Sequence, residues 1–253
     1  MCHVIRPALA ALAILCLAAV SPGLAVSYSG SLTYSPGPPP DSGDGLYVGI
    51  PGLQWVNYNV SISWTVTNDD PISGNPWKYT YTFGHDGTQA GISHVIIEGS
   101  EGISASDIAG LTGATLYSTG IQYANPGTPG MPEDLYGLRF NPLAEGQFGM
   151  TWSFWSDRAP VWGDFYARCG GKMGGINRVY NYNNTGGVEN GFLDPNGDDA
   201  LLDDIDPAGP ASNGSLDFHI LRPDSVVPEP SGLLALLCGA VGLGGIITRS
   251  RRR

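Results

Sequence analysis

Residues 57–67 constrain the fold more than any other stretch of the chain. Tyr58, Val60, Ile62, Trp64 and Val66 alternate there with Asn57, Asn59, Ser61, Ser63, Thr65 and Thr67. Successive side chains of a strand point to opposite faces, so this segment lays an apolar face on a core and a polar face toward water. Residues 78–83 repeat the pattern, with Tyr79, Tyr81 and Phe83 set against Thr80 and Thr82. The intervening residues 68–76 are dense in Asn, Asp, Pro and Gly, which predicts a hairpin.

Further strands are expected at 92–98, 134–140, 147–156, 161–168 and 215–221, each rich in β-branched or aromatic residues and bounded by turn formers. The one helix expectation is a short turn at 104–111, opening near Ser106 and Asp107. These elements predict an all-β fold, an antiparallel β-sandwich or jelly roll, over residues 46–224. A Pro/Gly-rich extended segment is expected at 26–45, with loops at 124–132 and 194–214. The chain holds 37 glycines and 20 prolines, yet aromatic and β-branched residues run through its body. That combination buries a core, which a disordered chain cannot do.

Charge narrows the partners. All 23 acidic residues lie between Val26 and Pro230, opposed there only by Lys78, Arg139, Arg158, Arg168, Lys172, Arg178 and Arg222. Such a surface repels phosphate backbones, so nucleic acid is not an expected partner. Cys2 and Cys16 fall in the leader and Cys238 in the tail, leaving Cys169 alone in the body. One thiol supports neither an internal disulfide nor a Cys-based zinc site.

The two ends read as processing segments. Arg6 precedes an apolar run over 8–20 and small residues at Gly23 and Ala25. Those are the three parts of a secretory signal peptide, residues 1–25, which passes through the Sec machinery and is cut by signal peptidase; a signal anchor is the alternative. Near the other end, Pro228-Glu229-Pro230 precedes an uncharged apolar run over 231–247, then Arg249, Arg251, Arg252 and Arg253. The run is near the short limit of a helical span. The arginines form a basic stop on the cytoplasmic side and leave the body outside.

This order closely resembles the PEP-CTERM sorting signal of exported bacterial proteins; the resemblance covers residues 227–253, within a sorting and anchor tail of 225–253. It implies that Pro228, Glu229 and Pro230 are recognised by exosortase, a membrane protease, and that the C-terminal helix anchors the chain before processing. It further implies an envelope or extracellular-matrix location alongside exopolysaccharide, in biofilm or floc formation. An ordinary one-helix anchor is the competing reading. Residues 77–83, 91–98 and 156–167 look like segments of other exported proteins of that class, and no catalytic residue comes with them.

Two constellations in the body invite chemistry. Residues 150–166 hold Trp155 and Trp162 with Asp157 and Asp164. Aromatic faces stack on sugar rings and carboxylates bind hydroxyls, so these four are candidates for a glycan site. The same two carboxylates, at the right separation, would serve a secreted carbohydrate-active hydrolase. Packing inside a sheet is the plainer expectation for the rings. Asp194, Asn196 and Asp198 have the one-three-five spacing of a calcium loop. Asp199 stands where that loop needs glycine, and Ile205 where it needs a bidentate Glu. A solvated acidic loop is preferred, with calcium as the alternative and no other cofactor expected. His85-Asp86 and His94 lack a companion nucleophile or zinc motif. The expectation is therefore a non-enzymatic binding or structural body.

Overall fold

The computed structural model describes residues 25–36, 45–49, 55–124, 128–169, 177–183, 190–191, 214–216 and 218–224. Residues 1–24 of the leader, the residue 194–198 loop and the tail from Val227 onward lie outside the described residues. Among the described residues no helix is long and apolar enough to cross a membrane.

The described fold is all-β, and every pairing between its strands is antiparallel. One sheet runs in the order β1 (Ser27–Tyr34), β3 (Val60–Thr67), β4 (Trp77–His85), β9 (Gly149–Ser156), β6 (Ala109–Thr112). The other runs β13 (Asn190–Gly191), β12 (Arg178–Asn183), β11 (Phe165–Cys169), β5 (Ile92–Glu98), β8 (Leu135–Pro142), β7 (Ala114–Gln122), with β2 (Leu46–Val48) also paired to β12. A separate ribbon joins β10 (Pro160–Gly163) to β14 (Ile220–Pro223).

The expected hairpin is β3–β4, in unbroken register from Thr67↔Lys78 to Val60↔His85. Its apolar face, with Ile62, Val66, Tyr79, Tyr81 and Phe83, is fully buried. β9 adds Trp152 and Phe154 to the same face. Rings from the second sheet meet them: Phe140 lies 5.6 Å from both Trp152 and Phe154, and Phe165 lies 6.4 Å from Phe83. The two apolar faces thus close on one aromatic core, where each ring contributes a large buried area. Two core tyrosines carry hydroxyls that need partners once buried. Tyr79 donates to the Arg158 carbonyl and Tyr81 to the Leu221 carbonyl, each at 2.8 Å, which ties the β10–β14 ribbon to the first sheet. Burial pushes both phenols well above their ordinary range, so they remain neutral donors.

The structure departs from the sequence reading in four places, one being the strand expected at 215–221, where β14 begins only at Ile220. Residues 27–34, assigned above to an extended leading segment, form edge strand β1, pairing over its whole length with β3. The helix expected at 104–111 is a single 3-10 turn, Ala105–Asp107, followed directly by β6. The Asp107 carboxylate accepts the Ser104 N–H at 2.6 Å, which closes the turn before a helix can propagate. The strand expected at 161–168 breaks at Asp164, sending β10 to β14 and β11 into the second sheet.

Candidate functional site

The four residues nominated for a glycan site are not brought together as a binding surface. Trp162 is 2 % exposed and packs edge-on against Trp64 in the core, with ring centroids 6.3 Å apart. Its face cannot stack on a sugar in this fold. Asp164 is 4 % exposed. Its carboxylate accepts a 2.5 Å hydrogen bond from the Asn181 amide and lies 3.4 Å from His219 Nε2. Asn181 in turn accepts the Phe165 N–H, so the group splices β11 to β12. Trp155 sits on the opposite surface, the outer face of the first sheet. There the Lys78 ammonium lies 4.6 Å from its ring and its indole donates to the Asp70 carbonyl. Asp157 is half-buried between β9 and β10. Residue chemistry was legible in the sequence, but the side of the sheet each residue occupies was not.

Arg222 and Arg158 are spent inside the fold. Arg222 reaches Glu98 at 3.3 Å and Asp224 at 3.5 Å, while Arg158 reaches Asp107 at 3.3 Å and the Ser100 hydroxyl at 2.6 Å. The Arg222–Glu98 pair crosses directly over Gly163. A Cβ there would fall 2.2 Å from Arg222 Nε and 2.4 Å from Glu98 Oε2, so a larger residue would have to displace the ion pair. Buried charges of this kind need their partners far more than exposed ones do.

The remaining described arginines gather elsewhere. Arg139, Arg168 and Arg178 all project from the outer face of the second sheet. Arg168 is paired in register with both Arg178 and His94, and Arg139 with Ile96. Arg178 packs against Gly49 and beneath Gly130. Arg139 and Arg168, with His94, Ser93 and Asn141, line a cavity of about 640 Å3. Its floor comes from β5, β8 and β11, and its rim from the exposed turn carrying Ala144, Glu145 and Gly146. The rim closes where Gly91 meets Gly146. A Cβ on Gly91 would lie 2.5 Å from the Gly146 Cα, and the Ile92 N–H donates to the Gln147 carbonyl at 2.7 Å.

No family model, characterised protein or solved structure matches this chain.

The cavity therefore has to be read from its own chemistry. His94 is 1 % exposed, and its Nε2 has no hydrogen-bond partner among the described residues. Arg139 Nε and Asn141 Oδ1 are likewise buried without partners. Burial, then the Arg139 and Arg168 charges, lowers the His94 pKa to about 3, so the ring stays neutral. The Ser93 hydroxyl lies 3.2 Å from His94 Nδ1. Yet no carboxylate orients the ring from its other nitrogen, and an imidazole so reluctant to take a proton is a poor general base. Nucleophilic catalysis is not what this arrangement favours. Guanidiniums, an amide and a neutral imidazole around one space suit the capture of an anionic group with hydroxyls beside it.

Cys169 also borders the cavity, buried, with its sulfur accepting the Asn177 amide at 3.2 Å. Among the described residues no group of three or more metal-ligating side chains occurs. Sequence reasoning passed over Arg139 and Arg168, and weighed His94 only as a catalytic residue, because the three come from separate strands. The available signal was a basic residue at an outward position of an otherwise apolar strand, as in Leu138-Arg139-Phe140 and Ala167-Arg168-Cys169.

Proposed function

We propose that this chain is an exported cell-envelope or extracellular-matrix protein whose body is a non-enzymatic β-sandwich that binds an anionic ligand in the cavity between β5, β8 and β11. The observation that carries the binding role is the convergence of Arg139, Arg168 and His94 on one cavity, in a body with 23 acidic residues and seven basic ones. The sandwich reading rests on the two antiparallel sheets sharing an aromatic core. Export and sorting rest on the leader and on Pro228, Glu229 and Pro230 ahead of the apolar, arginine-ended tail. Exosortase is the processing partner on this reading. A hydrolase working through Asp157 and Asp164 is disfavoured, because Asp164 is buried and engaged by Asn181.

Intact mass and fractionation of the protein from its native envelope test the sorting half. The expected species lacks residues 1–25 and ends near Pro228, and replacing Pro228, Glu229 and Pro230 with alanine abolishes that processing. A surface species that keeps its arginine tail, unaffected by the triple alanine change, contradicts sorting. The binding half is tested by calorimetric titration with sodium glucuronate, where saturable binding is expected and its absence counts against the site.

A further inference from the structure

Four features of the cavity narrow the chemistry of its ligand. Charge comes first: Arg139 and Arg168 both line the cavity, and a guanidinium pairs with a carboxylate in two-point geometry. Size comes second. At about 640 Å3 the cavity falls in the range that takes small organic ligands rather than a bare inorganic ion. Third is the lining, where the Asn141 amide, the Ser93 hydroxyl and the unpartnered His94 Nε2 offer hydrogen bonds to neutral hydroxyls. Fourth is an aromatic ring in contact with one of the lining arginines. The Arg139 guanidinium lies 4.4 Å from the Tyr117 ring, which is 64 % exposed and so keeps surface open for an apolar sugar face.

The rest of the surface limits how that negative charge is presented. The body is strongly acidic, and Glu145 stands exposed on the rim. A densely charged polymer that met the cavity would also meet the net negative charge of the body. A single carboxylate on a weakly charged chain meets attraction at the cavity and little penalty beyond it. We propose that the cavity binds one uronic acid residue carried on an otherwise neutral polysaccharide, with Arg139 and Arg168 holding its carboxylate and Asn141 and His94 its hydroxyls. This deepens the binding role given above and rests on it.

The test is calorimetric titration of the full exported chain with four probes: glucuronosyl-xylotriose, xylotetraose, sodium glucuronate and sodium sulfate. The acidic oligosaccharide should bind at least about tenfold tighter than xylotetraose or sulfate, and should weaken as salt is raised. Arg139→Gln and Arg168→Gln should each lower that affinity about tenfold, while Arg139→Lys restores only part of it because it keeps the charge and loses the fork. Glu145→Gln should tighten binding by removing the opposing charge at the rim. Thr82→Ala, on the other sheet, should leave it unchanged.

Equal affinity for xylotetraose would overturn the proposal, because recognition would then bypass the carboxylate. Sulfate binding as tightly as the oligosaccharide would leave an anion site and remove the uronate. Arginine variants that retain their unfolding midpoint and bind normally would place the ligand elsewhere. Silence with all four probes would end both the uronate proposal and the binding role beneath it.

Discussion

The two sheets bury similar aromatic faces but turn different chemistry outward. On the first, hydroxyls line up across the strands. Ser29, Thr65, Thr80, Ser153 and Thr112 form one row in register, and Ser31, Ser63, Thr82 and Thr151 form the next. Two neighbouring pairs bond to each other, Thr82 to Thr151 and Thr112 to Ser153, each at 3.0 Å. On the second, Arg139, Arg168, Arg178, His94 and a stack of tyrosines take the equivalent outward positions, Tyr47 lying 4.8 Å from Tyr180. Several of its polar atoms are buried without partners. The first face keeps its hydroxyls paired or at the surface, whereas the second keeps buried polar groups unmatched. In a native protein such a concentration calls for an explanation, and the ligand proposed above would supply one.

The sharpest way to break this comparison is to break what both faces share. Trp152→Ala should cost about 3–5 kcal/mol, because it empties the contact of Trp152 with Phe140 and Tyr81. Urea unfolding should then show one cooperative transition moved to lower denaturant. Two separated transitions would mean that the sheets are independent bodies and that the contrast between their faces carries no structural meaning.

Acid should separate the faces next. His94 has its pKa lowered to about 3, so its neutral form stabilises the fold fully above its ordinary value near 6.5. That stabilisation is lost as pH falls from 6.5 toward 3, because the unfolded chain takes up the proton first. The loss should be on the order of a few kcal/mol by the bottom of that window. His85, also lowered by burial, acts in the same direction. Unfolding midpoints at pH 7, 5 and 4 should fall less steeply in His94→Gln than in the unaltered protein. Equal slopes would show that His94 is not held neutral by its surroundings.

A smaller effect separates ligand binding from stability. Arg139→Gln should cost about tenfold in glucuronate affinity, or roughly 1.4 kcal/mol, with little change in unfolding midpoint. The smallest effect belongs to the hydroxyl face. Thr82→Ala should change stability by no more than about 1 kcal/mol, since it removes one exposed cross-strand pair. A large loss of stability or of ligand affinity there would mean that the hydroxyl rows have a role of their own.

How much of this was legible in the sequence follows from how completely each strand commits its two faces. β3 and β4 bury one face and expose the other throughout, so their alternation announced both strands and the hairpin. β7 buries little on either face: Tyr117 and Ile121 are exposed and Gly120 interrupts it, so no period-two signal emerged. β2 spans three residues, too few to carry a pattern, and β1 is rich in Ser and Gly. The site was harder. Trp162 and Asp164 looked functional by residue type, but their position inside the fold is set by the break between β10 and β11, which depends on partners distant in sequence. Arg139 and Arg168 looked ordinary until strand order placed β8 and β11 on either side of β5.

Chemical-shift mapping with sodium glucuronate on the isotope-labelled protein tests the contrast between the faces most directly. The account expects shifts at His94, Arg139, Asn141 and Arg168, with Thr65, Thr80, Thr82 and Thr151 unmoved. Shifts confined to the hydroxyl rows, or spread evenly over both faces, would contradict it.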